Sequence, residues 1–472
     1  MQLGAAKLWI AVCLLTVAAA TAASAQITAI HDFCNTPCPN SPQYVGVISQ
    51  GRDGNMWSTT PEGGKNGIGA AFKITPVGKF TDVHDFDSST MPPEGTPYSG
   101  LTLGTDGNFY GTMKNGGAND DGAVFRMTPA GKVTILYSFT GGNDGKGPLA
   151  PPVEGTDGNF YGTSETGGIY GFGTIYKITP AGKLTTLHQF NPSNGDGSYP
   201  IAPLIQGTDG KFYGTTYEGS LEGNCGFDNI CATVFQITSA GIYQQIYIFA
   251  FNTQLTAGLV QGCDGNFYGT TFDQGANKFG QVFRITTKGG FKDLYDFKGE
   301  DDGANPYAGL TLATDCNFYG VTLDKGVDGF GTVYEISPKS KFTLKDPLDG
   351  TNGGNSSVTL ILHTNGTLYG DAVIGGMTTN VGTFFKVDNV HYKPFVSLLP
   401  PSGSVGATVE ILGQGFTGTT AVSFNGTAAT KFTVVSETYM TAVVPTGATT
   451  GFVTVTTPTA TLQSNKKFRV TK

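Results

Sequence analysis

Five acidic residues recur immediately before a glycine: Glu94, Asp144, Asp196, Asp302 and Asp349. Carboxylates presented on loops are hard oxygen ligands, so the pattern suggests Ca²⁺ or a polar ligand held on one face. One carboxylate per loop also suits a plainer use, in which the acid caps its own turn. Three histidines, His31, His84 and His188, recur at one position where other segments carry Tyr137, Tyr247 and Tyr295. A position filled by His or Tyr alike is a packing position rather than an acid–base one. Two further ionisable groups, Glu154 and His363, end short apolar segments. They fall in well-separated parts of the chain and are not expected to meet. Metal-assisted or acid–base catalysis needs several such groups converging, and neither a Gly-x-Ser-x-Gly elbow nor a phosphate-binding loop occurs.

Six cysteines follow the N-terminal segment: Cys34, Cys38, Cys225, Cys231, Cys263 and Cys316. No His and Cys spacing typical of zinc accompanies them. An even number in an exported chain favours disulfides, with Cys34–Cys38 and Cys225–Cys231 as local pairs. Cys263 precedes a turn Asp and Cys316 follows one, at nearly equivalent places in consecutive repeats. Either they form a bond between neighbouring repeats or they are two separate buried thiols.

These residues sit in a repeating frame. The phrase Asp106-Gly107-Asn108-Phe109-Tyr110-Gly111-Thr112 has counterparts at Asp53, Asp157, Asp209, Asp264 and Asp315, and a weaker one at Asn365. The interval of about 50 residues indicates a propeller or another repeat architecture. Each repeat resolves into four short strands, here named A to D. Strand A ends before the Asp-Gly, which supplies a tight hairpin. Strand B carries adjacent aromatics such as Phe109 and Tyr110, which must face opposite sides of a sheet. Strand C, as in Thr174 to Thr179, turns through Pro180-Ala181-Gly182 into strand D. Strand C occurs seven times and strand D follows only six of them. The unmatched strand is Ile27 to Phe33, which repeats the pattern of Phe80 to Phe86. The expected fold is therefore all-β: a seven-bladed β-propeller of four-stranded blades over residues 26–390, with the N-terminal strand closing the last blade. In such a frame the A strands line the channel, and the D–A and B–C loops share one face.

Lys7, the apolar run Leu8 to Ala20 and Ala23-Ser24-Ala25 read as a secretory leader over residues 1–25, cleaved after Ala25. No later apolar run is long enough to span a membrane. The composition of 70 glycines, 32 phenylalanines and 20 tyrosines suits short strands and tight turns rather than disorder, and a net charge of −8 argues against nucleic acid. Residues 391–472 alternate in the manner of a small immunoglobulin-like β-sandwich. Gly413-Gln414-Gly415-Phe416 and Phe424-Asn425-Gly426 there resemble the IPT/TIG family over residues 395–471, a resemblance that implies a spacer or binding module. Asp-Gly-Asn-Phe-Tyr-Gly-Thr and Gly173-Thr174-Ile175-Tyr176-Lys177-Ile178-Thr179-Pro180 resemble the GloVer tandem-repeat proteins over residues 44–388. That resemblance implies an exported protein with no established activity. Arg52-Asp53-Gly54-Asn55-Met56-Trp57 is similar to virginiamycin B lyase-like propellers, which implies the alternative of a lyase or lactonase-like enzyme with a central-channel site. The expectation is a secreted, non-catalytic protein that needs no cofactor beyond an optional Ca²⁺, and whose partner is an extracellular glycan or protein.

Overall fold

The computed structural model describes residues 27–34, 39–40, 46–219, 231–250, 253–376 and 381–471. The expected leader lies outside them. Among the described residues, seven four-stranded antiparallel sheets are built from the repeats. The third is representative, with Val153–Glu154, Phe160–Ser164, Thr174–Ile178 and Leu184–Gln189 in spatial order. All five residues of Phe160–Ser164 are buried, so both faces of this strand are covered. The outermost strand is half-buried along its length, with Thr185 exposed, as a rim strand covered on one side should be.

The A strands are shorter than expected. The apolar stretch Tyr98 to Gly104 before its Asp-Gly gives only Thr102–Leu103 to the sheet. Its earlier residues bond sideways to the preceding repeat instead: the Val47 N–H donates to the Ser99 carbonyl and the Gly100 N–H to Thr59 Oγ1. Those bonds draw the chain out of the ladder. The C strands begin where the sequence places them, from Ala70 to Thr383. The seventh of them continues further, as Thr383–His391, and so takes in His391, just past the expected end of the repeats at residue 390.

The seventh sheet contains Ile361–Leu362, Thr367–Ala372 and Thr383–His391, and its fourth strand is Ile27–Asp32. The register runs from Ile27 opposite Val387 to Asp32 opposite Thr383. The N-terminal strand therefore covers an edge that the last repeat leaves open. Neighbouring sheets share apolar clusters, and the seventh packs on the first: Val358, Tyr369 and Phe384 join Ile48, Met56 and Phe72 in one cluster.

One position in this frame is anomalous. Thr112, Thr215 and Thr270, each following the glycine of its B strand, donate a hydrogen bond to a carbonyl of the next repeat. The seventh repeat has Asp371 there. It is fully buried, and neither carboxyl oxygen has a hydrogen-bond partner among the described residues. Burial pushes its pKa well up. The folded state thus favours the neutral acid. The stability this lends is complete below the unfolded pKa and is lost as pH rises through the folded one.

Residues 395–471 form two further four-stranded sheets around their own core, which includes Val409, Phe416, Phe424, Met440, Val455 and Phe468.

Two outcomes follow from these contacts. Deleting residues 26–32 exposes the edge of Thr383–His391 and lowers the melting temperature by several degrees; an unchanged melting curve contradicts closure by this strand. Asp371→Thr restores the group used in other repeats. It raises the melting temperature more at about pH 8 than at about pH 5, because only the wild type carries a carboxyl that resists ionisation.

Candidate functional site

The repeated hairpin is organised by its aspartate. In the third sheet Asp157 accepts from the Asn159 N–H at 3.2 Å, Asn159 Nδ2 at 2.9 Å, Tyr161 Oη at 2.7 Å and Lys177 Nζ at 2.8 Å. Burial opposes ionisation of Asp157, but these donors prevail and hold its pKa down to about 2. Burial and the same carboxylate push the Tyr161 hydroxyl up to about 12. The tyrosine ring thus fixed stacks on the phenylalanine of the next repeat. Tyr161 lies 3.9 Å from Phe212 between ring centroids, and the equivalent pairs Tyr110–Phe160 and Tyr213–Phe267 lie at 3.8 and 4.0 Å.

On the innermost strands, a second device joins neighbours. Gln206 Oε1 accepts from the Thr156 N–H of the preceding repeat at 3.0 Å, and Gln261 Oε1 accepts from the Thr208 N–H at 2.9 Å. Glu154 is used in the same way: it accepts from the Thr105 N–H at 2.7 Å and Thr105 Oγ1 at 2.6 Å. Burial raises its pKa despite those two bonds. Between the fifth and sixth sheets this clamp cannot form, since Leu312 stands in place of Gln206 or Gln261, as Leu103 and Leu362 do in the second and seventh sheets, and Cys263 stands where most hairpins have Thr. There Cys263 and Cys316 form a disulfide, with Cα atoms 5.7 Å apart. Cys316 occupies the hairpin glycine position at φ +69°, a conformation that a non-glycine residue disfavours. Cys34 and Cys231 are also disulfide-bonded. Cys38 and Cys225, their expected partners, lie outside the described residues.

His363 is fully buried and serves the seam between the last and first sheets. Its Nδ1 accepts from the Asn365 N–H, which leaves Nε2 to donate to the Gly54 carbonyl at 2.9 Å. Burial lowers its pKa, consistent with a neutral ring. It does not meet Glu154.

The loop acids are spread over separate repeats. Glu94 contacts His84 Nε2 at 2.9 Å and accepts the Asp87 N–H at 2.8 Å. Asp144 accepts from Tyr137 Oη and the Thr140 N–H, both at 2.9 Å. Asp196 is paired likewise with His188, and Asp302 with Tyr295. The acids therefore bind the recurrent His or Tyr position of their own D strand. Asp349 instead accepts the backbone N–H groups of Thr351 and Asn352. His31 stacks on Phe80 at 4.5 Å. Among the described residues, no group of three or more His, Cys, Asp or Glu is placed to hold a metal ion.

The C-terminal module sits on the hairpin side. Arg52 forms a two-pronged ion pair with Glu410, donates to the Thr105 carbonyl at 2.9 Å and lies 4.7 Å over the Tyr439 ring. Thr438 Oγ1 donates to the Arg52 carbonyl, Gln414 to Thr364, and Arg469 to the Thr208 carbonyl. Between this module and the innermost strands lies a cavity of about 550 Å³. Glu154, Gln206 and Gln261 line it from one side, and Ser402, Lys466 and Arg469 from the other. The sequence pointed to Glu154 here and missed the basic residues, which belong to no repeat.

The sequence profile of the Gloeobacter/Verrucomicrobia repeat matches residues 16–150, 96–227 and 223–434. The chain belongs to this repeat family. No curated protein matches the chain. Among solved structures it is similar to a fungal alcohol oxidase of the AA5 family in complex with copper, at 13% identity and TM-score 0.49 over 92% of this chain and 99% of that one. It is also similar to a structural genomics protein of unknown function from Bacteroides thetaiotaomicron, at 14% identity and TM-score 0.40 over 74% and 83%. Neither similarity assigns an activity.

The disulfide makes a direct test of the inner seam. Cys263→Ser with Cys316→Ser lowers stability by about 2–4 kcal/mol. A wild type whose denaturation midpoint already equals that of the double variant under non-reducing conditions contradicts this link.

Proposed function

We propose that the chain is a secreted binding or surface-organising protein: a seven-bladed β-propeller over residues 26–390 followed by an IPT/TIG-like module over 391–472, released from a leader of residues 1–25. The observation that carries the reading is the presence of exposed apolar side chains on loops of the face that the C-terminal module leaves open. Met91, at 91%, Ile169, Tyr170 and Val327 are exposed on D–A or B–C loops, while Val77 and Ile242 are exposed on C–D turns. The D–A and B–C loops share the face opposite the hairpins, and the C-terminal module occupies the hairpin side. A rigid frame with apolar loop tips on its open face suits recognition of an extracellular glycan or protein. The five loop acids then act by holding these loops in shape.

The reading is non-catalytic because the ionisable groups of the innermost strands are committed elsewhere. Glu154 is bound by Thr105, and His363 is bound by Gly54 and Asn365.

A glycan array probed with purified protein, and with an Ile169→Ser/Tyr170→Ser variant, tests the proposal. The expected result is selective binding by the wild type that falls at least about tenfold in the variant, with the melting temperature unchanged. Equal binding by both proteins overturns the placement of the site, and no selective binding to any glycan removes that ligand class.

A further inference from the structure

The cavity beneath the C-terminal module lies away from the loop face and has a chemistry of its own. Its volume of about 550 Å³ is in the range of small-molecule sites, roughly 300–1,000 Å³. Much of its wall is apolar: Leu103, Ile205 and Leu312 from the innermost strands, and Leu399 from the module. The polar groups on the strand side are already satisfied. Glu154 accepts two bonds from Thr105, and the Gln206 and Gln261 amides donate to the Gly210 and Gly265 carbonyls. On the module side, Arg469 donates to the Thr208 carbonyl. Lys467 lies 5.9 Å from the Phe452 ring.

Lys466 differs from all of these. It lines the cavity, yet its ammonium has neither a hydrogen-bond nor an ion-pair partner among the described residues. It is open to water within the cavity but deeply surrounded by protein, and that enclosure lowers its pKa. A cation enclosed without a counter-charge is costly, and an anion placed beside it relieves that cost.

We propose that this cavity binds an amphiphile with a single anionic head, its acidic group paired with Lys466 and its apolar body lying over Leu103, Ile205, Leu312 and Leu399. The ligand class follows from the walls: Lys466, which has neither a counter-charge nor a ring contact, asks for an anionic group, and the apolar remainder asks for a hydrocarbon body.

Dodecanoate and dodecanol serve as probes in calorimetric titrations of the purified protein. The expected result is one dodecanoate site per chain, with dodecanol at least about tenfold weaker. Lys466→Met removes the preference for the carboxylate, and Lys466→Arg keeps most of it, while both variants melt like the wild type. Dodecanol binding as tightly as dodecanoate, an unaltered preference in Lys466→Met, or no dodecanoate binding up to about 1 mM overturns the proposal. Should Lys466→Met fail to fold, the comparison of the two probes on the wild type decides the matter alone.

Discussion

The aspartate of the repeated hairpin is the interaction on which the rest of the structure depends. It closes its own turn, orders the asparagine two residues later, and orients the tyrosine four residues later. In the third sheet one carboxylate, Asp157, does all three. Because Tyr161 is held at its hydroxyl, its ring is fixed against Phe212 of the next sheet. The hairpin also presents Thr156 to the clamp from Gln206. Thus a turn of a few residues sets both the face-to-face stacking of neighbouring sheets and the spacing of their innermost strands. The last two repeats depart from this arrangement. Tyr319 bonds to Tyr392 rather than to a hairpin aspartate, and Asn365 replaces the aspartate beside Tyr369. These departures occur where the chain leaves the last sheet, and Tyr392 lies on that exit.

The same geometry divides the surface. The C-terminal module follows directly from strand Thr383–His391, and its first bonds are made to hairpin atoms: the Phe395 N–H donates to the Thr364 carbonyl. Arg52 replaces the threonine found in most other hairpins, and its guanidinium bridges the second sheet's hairpin and Glu410. Burial raises the Glu410 pKa while Arg52 pulls it back, so the pair exchanges water for a directed contact. One side of the repeat array is therefore taken by the module and the enclosed cavity. Met91, Ile169, Tyr170 and Val327 are exposed on loops of the other side.

Much of this was legible in the sequence because it repeats. Seven C strands against six D strands pointed to Ile27–Asp32, and adjacent aromatics pointed to sheets covered on both faces. The loss of a turn glycine at Cys316, one repeat after Cys263, made their bond one of two readings, and the structure forms it. Other features were half legible. The acids of the D–A loops and the His or Tyr positions of the D strands were each visible as series, but nothing along the chain says that His84 meets Glu94 or that Tyr137 meets Asp144. The cavity was not legible, because Lys466, Lys467 and Arg469 belong to no repeat and meet the innermost strands only through the docking of the module. Asp371 was equally hidden, since its oddity rests on a burial that the sequence does not print.

A double-mutant cycle at one hairpin tests the organising role of the aspartate most directly. Urea denaturation of the wild type, Asp157→Ala, Tyr161→Phe and the double variant gives the coupling between carboxylate and phenol. The account predicts a coupling of about 1 kcal/mol, the value expected of a partly exposed hydrogen bond to a charged group. Strict additivity of the two substitutions would contradict it.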